Sequence, residues 1–347
     1  MIKLSPGPAE HRSTRVRKSI DRVNRGTKMY DLIGDIHGCA HELKALLAKL
    51  GYSARYGVWR HPTRQVIFLG DFIDRGPEQV EVMKIVRAMV DAEQALTVMG
   101  NHEFNAVAWA TPISTGSGNY LRPHTDDNRK QHAEFLAQVG EASQLHEDLI
   151  NWFRGLPLWL DLPGLRVVHA CWHTPSVEIL TEHLDDRRRI RDEAAWVTLT
   201  RRGDLAYEAL ETVLKGLEIP LPKGVEFKDK DGKIRRRVRT RWWKDHPITY
   251  RDLAIAPTEV IPQIPHEPAP EHVLPGYDGD KPVFVGHYWM SGTPRPLSAR
   301  VACLDYSVAA GGKLCAYRWD GERDLVDVHF CCVDSNGGQT AAHRSAP

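Results

Sequence analysis

Val66-Ile67-Phe68-Leu69-Gly70-Asp71-Phe72-Ile73-Asp74-Arg75-Gly76 is the stretch on which the fold turns. Four consecutive apolar residues read as a buried strand. A glycine ends it, and two carboxylates and an arginine follow before the next glycine. The same grammar recurs on either side. Tyr30 to Ile33 runs into Gly34-Asp35-Ile36-His37-Gly38, and Leu96 to Met99 runs into Gly100-Asn101-His102-Glu103. Helical stretches lie between: His41 to Leu50 puts Leu43, Leu46, Leu47 and Leu50 on one face, and Val80 to Val90 does the same with Val82, Ile85, Val86 and Met89. Three strand ends at βα-unit spacing therefore carry polar donors. Open α/β sheets bind ligands there, which predicts an α/β fold with one shared site.

The residue types fit a metal site. Asp and neutral His offer oxygen and nitrogen to divalent cations, and Asn offers a carbonyl oxygen. One carboxylate such as Asp71 can bridge two cations, and two cations roughly 3.5–4 Å apart form the clamp used in phosphoester hydrolysis. The flanking glycines allow sharp turns and close approach of the backbone. Arg75 presents a planar fork matched to phosphate oxygens.

Complete at every fixed position, GDxHG, GDxxDRG and GNHE together resemble the signature of the calcineurin-like metallophosphoesterases, and within them the PPP-type serine/threonine protein phosphatase superfamily. Leu165 to Val168 ending in His169-Ala170, and Val283 to Val285 ending in Gly286-His287, resemble the family's later ligand-bearing strands. The resemblance runs from Tyr30 to about Phe330. It implies a four-layer αββα sandwich of mixed sheets flanked by helices, with an inserted helical and hairpin cap region. It implies two divalent metal ions, one held by Asp35, His37 and Asp71, the other by Asp71, Asn101, His169 and His287. Mn²⁺ is the expected pair, with Fe or Zn compatible because ligand type does not separate these metals well. His102 is then the general acid, oriented by Asp74, and Arg75 with Asn101 binds the phosphoryl group. The implied reaction is direct attack of metal-bound hydroxide on a phosphomonoester, with no phospho-enzyme.

A serine/threonine protein phosphatase is the first reading, and a symmetrical diadenosine tetraphosphatase the alternative. Leu304-Asp305-Tyr306-Ser307 followed by Gly311-Gly312-Lys313-Leu314 resembles bacterial members, including diadenosine tetraphosphatases and RNA-repair phosphatases. A phosphoprotein and a nucleotide polyphosphate both stay open as substrate. The resemblance to eukaryotic PPP enzymes implies a second substrate-binding arginine in the interval that here holds Arg239 and Arg241, where one or the other would serve as the second phosphate clamp.

At 347 residues the chain suits one large domain with insertions, or two domains. The expected division is a basic, flexible arm over 1–28, a catalytic domain over 29–333 with insertions at about 105–152 and 174–275, and a flexible tail over 334–347. A net charge of +1 gives no global argument for nucleic acid. No window suits a membrane span and no apolar signal core precedes the first strand, so a cytoplasmic protein with reduced cysteines is expected. Within the insertions, Asp126 to Trp152, Glu178 to Trp196 and Asp204 to Leu217 read as helical. A hairpin is expected between Val225-Glu226-Phe227 and Ile234 to Val238 around Lys230-Asp231-Gly232. Arg235, Arg237, Arg239 and Arg241 would share one strand face beside Trp242-Trp243. Cations next to aromatics also admit a nucleic-acid-binding surface, as on an RNA-end phosphatase. Pro257 to Pro275 reads as an extended connection, and Val301 to Leu304, Lys313 to Trp319 and Leu325 to Phe330 as closing strands.

Overall fold

In a computed structural model, the described residues are 28–335 apart from 115–117, 229–233, 245–247, 271–275 and 278. In the first part, β1 (Met29–Ile33), α1 (Ala40–Lys49), β2 (Ser53–Arg55), β3 (Val58–Arg60), β4 (Arg64–Phe68), α2 (Gln79–Asp91), β5 (Ala95–Thr97) and α3 (Asn101–Ala110) follow one another. Then come α4 (Asp126–Val139), α5 (Gln144–Arg154), β6 (Trp159–Asp161), β7 (Arg166–Val168), α6 (Thr174–Thr181), α7 (Glu193–Thr200) and α8 (Leu205–Lys215). A smaller region holds β8 (Glu218–Pro220), β9 (Phe227–Lys228), β10 (Ile234–Arg235), β11 (Arg237–Thr240), α9 (Tyr250–Leu253) and β12 (Ala254–Ile255). The chain closes with β13 (Val283–Val285), β14 (Val301–Cys303), β15 (Asp305–Tyr306), β16 (Lys313–Trp319) and β17 (Phe330–Asp334).

Two mixed sheets make the sandwich. One runs β15-β16-β1-β4-β5 with β17 on β16, and the other β14-β13-β7-β6. Alternation along the strands decides what each face buries. Leu32 and Ile67 point between the sheets, where they share a core with Val167, Phe284, Ala302 and Tyr317. Their neighbours Ile33, Val66 and Phe68 point the other way, into a core with Leu43, Leu47, Val82 and Val86 of α1 and α2. Val168, Val285 and Cys303 leave the second sheet on its outer side toward Leu180, Leu210 and Val213. Helices, sheet, sheet and helices give the four expected layers. Both sheets end their parallel strands on the same edge, so the Gly-Asp, Gly-Asn and Gly-His segments converge. Among the described residues no helix is long and apolar enough to cross a membrane.

Several sequence expectations need correction. Asp126 to Trp152 is two helices, because Gly140 breaks α4 at φ +77 and Ser143 caps α5 by accepting from the His146 N–H. Glu178 to Trp196 is not one helix. Asp185 accepts backbone N–H groups from Arg187 and Arg189, and Asp192 caps α7, so α6 and α7 are separated. Ile234 to Val238 splits at Arg236: β10 pairs with β9 as the expected hairpin, whereas β11 joins β8 and β12. The four alternate arginines therefore do not share one strand. Lys230-Asp231-Gly232 lies outside the described residues. Trp242 and Trp243 are buried, so neither can stack on a base, and the nucleic-acid reading loses its aromatic half. Pro257 to Pro275 contains a short 3-10 turn at Ile261–Gln263 and buries Val260, Ile264 and Ala269 in a core of its own. The last strand is Phe330–Asp334 rather than Leu325 to Phe330, so Asp334 is not tail. Cys315 and Cys332 face each other across β16 and β17 and form a disulfide, against the expectation of reduced cysteines. The arm, save Lys28, and residues 336–347 lie outside the described residues.

Candidate metal centre

Five site residues stand in the left-handed backbone region: His37 at φ 45, Asp71 at 53, Asp74 at 69, Arg75 at 71 and His287 at 70. Bulky residues adopt this region only where the surroundings over-determine it, and such positions gather at functional sites. Here the determinants are visible. Glu103, fully buried, accepts from the N–H groups of Asp71 (2.8 Å), Phe72 (2.8 Å) and Gly100 (3.0 Å). It braces the turn after β4 as well as the start of α3. His37 N–H and Ile36 N–H both donate to the Asp71 carbonyl. Gly70, at φ +89, passes so close to Gly100 that a Cβ would sit 2.4 Å from its nitrogen.

The side chains so placed form one cage. Asp71 Oδ2 faces His169 Nε2 at 3.3 Å, His37 Nε2 at 3.6 Å and His102 Nε2 at 3.8 Å. Asn101 Oδ1 lies 3.1 Å from His169 Nε2 and 2.8 Å from His287 Nδ1. Asp35 accepts from the His287 N–H at 3.0 Å. Two sets of donor atoms sit within 4.8 Å of one another: His37, Asp71 and His102, and Asp71, His169 and His287. All six metal-ligand candidates named from sequence are thus brought together. His102 also reaches the first set, but its Nδ1 is bound to Asp74 Oδ2 at 2.5 Å.

These residues fit a pair of divalent cations. His37 Nδ1 donates to the Ile73 carbonyl at 2.8 Å and His169 Nδ1 to that of Leu69 at 2.7 Å. Each ring therefore turns the lone pair of Nε2 into the cage, the arrangement that orients imidazole ligands. His37 Nε2 is buried and has no hydrogen-bond partner. His169 Nε2 faces two further acceptors, Asn101 Oδ1 and Asp71 Oδ2. Acceptors facing acceptors need positive charge between them. The electrostatics agree. Burial pushes Asp35 well above the usual carboxylate range, and Asp305 and Asp71 add to it. Burial, together with His102, pushes His37 down to about 3, keeping it a neutral donor. Burial opposes protonation of His169, yet Asp71 outweighs it and holds the ring up to about 10, so without a cation a proton on Nε2 takes the place that the cation would fill. The cage attracts cations.

Around it stand the groups that would meet substrate. Arg75 lays its guanidinium 4.0 Å over the Trp289 ring and brings Nη2 to 3.4 Å from His102 Nε2. Arg239 Nη1 lies 3.2 Å from His287 Nε2. Arg241 turns away and donates to the Asp252 carbonyl at 2.7 Å. Of the two arginines considered for a second clamp, the structure brings Arg239 to the cage and not Arg241. Arg241 instead lines a cleft of about 800 Å³ with Trp243, Lys244, Met290, Arg295 and Pro296.

Three residues escaped the sequence reading. Asp305 is buried and accepts from the N–H groups of Trp289 (2.8 Å) and Ser307 (2.9 Å), raising the charge density beside Asp35. Its signal was present, since Leu304-Asp305 repeats the strand-end grammar. Trp289 follows the Gly-His motif and is 50% exposed. His132 touches Asp74 from α4, in a stretch from which the sequence predicts a helix but singles out no site residue.

A family model described as calcineurin-like phosphoesterase matches residues 30–288. The chain belongs to the calcineurin-like phosphoesterases. Two curated relatives show the spread. An asymmetrical bis(5′-nucleosyl)-tetraphosphatase of Oceanobacillus iheyensis is 47% identical over 160 residues, covering 46% of this chain and 61% of that protein. A symmetrical bis(5′-nucleosyl)-tetraphosphatase of Pectobacterium carotovorum is 24% identical over 326 residues, covering 89% and 98%. The alignment thus spans about 61% of the length of the first of these relatives. Among solved structures, a serine/threonine phosphatase of Saccharomyces cerevisiae aligns at 14% identity over 90% of this chain and 81% of that one, with a TM-score of 0.48.

Proposed function

We propose that this phosphoesterase hydrolyses a bis(5′-nucleosyl) tetraphosphate, cutting it symmetrically, at a centre of two divalent metal ions. The observation that carries the chemistry is the cage itself: one buried carboxylate oxygen facing three imidazole nitrogens, with Asn101 Oδ1 shared between His169 and His287. Asp35, His37 and Asp71 would hold one ion, and Asp71, Asn101, His169 and His287 the other, Mn²⁺ being the metal to test first. Bound there, the metals supply Lewis acidity toward phosphoryl oxygens and lower the pKa of water.

The chain's own residues do the rest. Arg75 makes no ion pair with a carboxylate among the described residues, so no carboxylate competes for its fork, which would take non-bridging phosphate oxygens. Arg239 adds positive charge on the other side, beside His287. His102 donates from Nδ1 to Asp74, which leaves Nε2 to deliver a proton to the leaving oxygen. Burial opposes the charged ring, but Asp71 and Asp74 outweigh it and raise its pKa, as an acid requires.

GDxxDRG and GNHE, which favoured a protein phosphatase, describe the metal chemistry and not the substrate. The relatives of both cleavage types support the nucleotide alternative, and the symmetrical one aligns along most of this chain. The cleft lined by Arg241, Lys244 and Arg295 gives a phosphate chain cationic room beside the loop that follows His287. The test is Mn²⁺-loaded protein with diadenosine tetraphosphate and, separately, a phosphopeptide. Two ADP per dinucleotide is the expected product. ATP with AMP would reassign the cut, and a preference for the phosphopeptide would restore the protein-phosphatase reading.

A further inference from the structure

Asp74 is held from two sides. Its Oδ2 meets His102 Nδ1 at 2.5 Å, and its Oδ1 meets His132 Nδ1 at 2.7 Å. His132 is fully buried, and its Nε2 has no partner. The ring lies against apolar walls, stacked on Phe135 at 5.0 Å and edge-on to Trp109 at 6.1 Å. A proton on Nε2 would be a buried donor without an acceptor, a penalty of about 1–3 kcal/mol. The proton therefore sits on Nδ1, and His132 donates to Asp74.

The same helix grips the loop again one turn and a half later. Gln138 accepts from the Gln79 N–H at 2.8 Å and donates to the Pro77 carbonyl at 2.8 Å, while Gln79 accepts from the Asp74 N–H at 2.7 Å. Asp74 itself sits at φ 69, a conformation that needs such outside support.

We propose that His132 is a positioning residue for the reaction: by fixing one oxygen of Asp74 it sets the plane in which the other oxygen holds His102, and so the aim of the proton delivered from His102 Nε2. The inference rests on the general-acid role of His102. It makes α4, from the inserted region, part of the proton-delivery apparatus rather than edge packing. A misaimed acid slows departure of poor leaving groups and leaves good ones nearly alone.

The test compares Mn²⁺-loaded wild type, His132→Leu, His132→Asn and His102→Asn on p-nitrophenyl phosphate and on an alkyl phosphate. His132→Leu should lower kcat on the alkyl ester roughly tenfold with KM little changed, and on the nitrophenyl ester much less. His132→Asn, whose Nδ2 can stand where Nδ1 stood, should recover most of the loss. In the His102→Asn background, His132→Leu should add nothing on the alkyl ester. Should His132→Leu not fold, His132→Asn and proton NMR carry the test. Metal-free wild type should show two downfield imidazole N–H signals bonded to Asp74, and His132→Asn should keep the His102 signal and lose the other. Equal losses on both esters with a leaving-group-sensitive His102→Asn would overturn the role of His132 alone. Equal losses in His102→Asn itself would overturn the general-acid reading beneath it.

Discussion

The backbone N–H of His287 donates to the Asp35 carboxylate over 3.0 Å, tying the end of β13 to the end of β1 across 252 residues of chain. This closeness needs Gly286, since a Cβ there would sit 2.0 Å from Asp35 Oδ1. Gly286→Ala must displace either Asp35 or the turn that carries His287. Overpacking of this kind costs about 1–3 kcal/mol. The expected variant melts earlier, binds less than the full metal complement and loses most activity. Elemental analysis beside a thermal melt checks this. Full metal content with normal turnover would show that Asp35 is not held where the cage needs it.

Asp71→Asn keeps the volume and removes the charge at the centre of the cage. Burial disfavours that charge, but His169 and His102 outweigh it and hold Asp71 well below the usual carboxylate range. Outer partners of a metal site already change affinity or activity by about 10–100-fold when removed, so loss of the central carboxylate should exceed that. Metal-binding isotherms on the variant are the measurement, and wild-type affinity would refute the assignment. Chelation of the wild type should likewise lower its melting temperature, because an ion that binds only the folded state stabilises it.

His102→Asn should retain metal and lose rate. General acids contribute typically about 10²–10⁴-fold, and the loss should grow as the leaving group worsens. A plot of log kcat against leaving-group pKa, steeper in the variant than in wild type, is the expected result. Parallel lines would remove His102 from proton transfer.

What could be read from the sequence follows from which forces are local. The metal grammar was legible because each motif sits where a buried strand stops, and strand ends are set by a few adjacent residues. The period of α3 is unclear in the sequence because Asn101, His102, Phe104, Val107, Ala108 and Trp109 are all buried, so no polar face supplies one. Glu178 to Trp196 looked helical by composition, and the competing hydrogen bonds from Asp185 and Asp192 broke it. Arg239 could be placed in the right interval but not chosen over Arg241, because β11 ends at Thr240 and the next residue leaves the strand. His132 left no trace, since its partner is 58 residues away and meets it only through tertiary packing.

Asp31 gives a stability prediction outside the site. It is fully buried in β1 and accepts from Arg64 Nε at 2.9 Å, Arg318 Nε at 3.2 Å and the Tyr52 hydroxyl at 3.0 Å. Removing one partner of such a group strands the others, at about 3–5 kcal/mol. Asp31→Ala should lower the unfolding free energy from denaturant titration by that amount while leaving kcat of the folded fraction unchanged. A shift below about 1 kcal/mol, the usual worth of an exposed pair, would mean that water already reaches Arg64.

Trp289→Ala tests the hold on Arg75. The indole is half exposed, stands at φ 51 and carries the guanidinium on its face at 4.0 Å. Its own N–H backbone group is fixed by Asp305, so the platform is rigid. A cation–π contact is worth about 0.5–2 kcal/mol, and without it Arg75 regains rotamers that binding must freeze again. KM should therefore rise between about twofold and thirtyfold at tenfold per 1.4 kcal/mol, with metal content unchanged. Inhibition by inorganic phosphate should weaken in step, because the same fork would bind it. Trp289→Phe, which keeps a ring face, should lie close to wild type. A fall in kcat with KM constant would place Trp289 in the chemistry rather than in the support of Arg75.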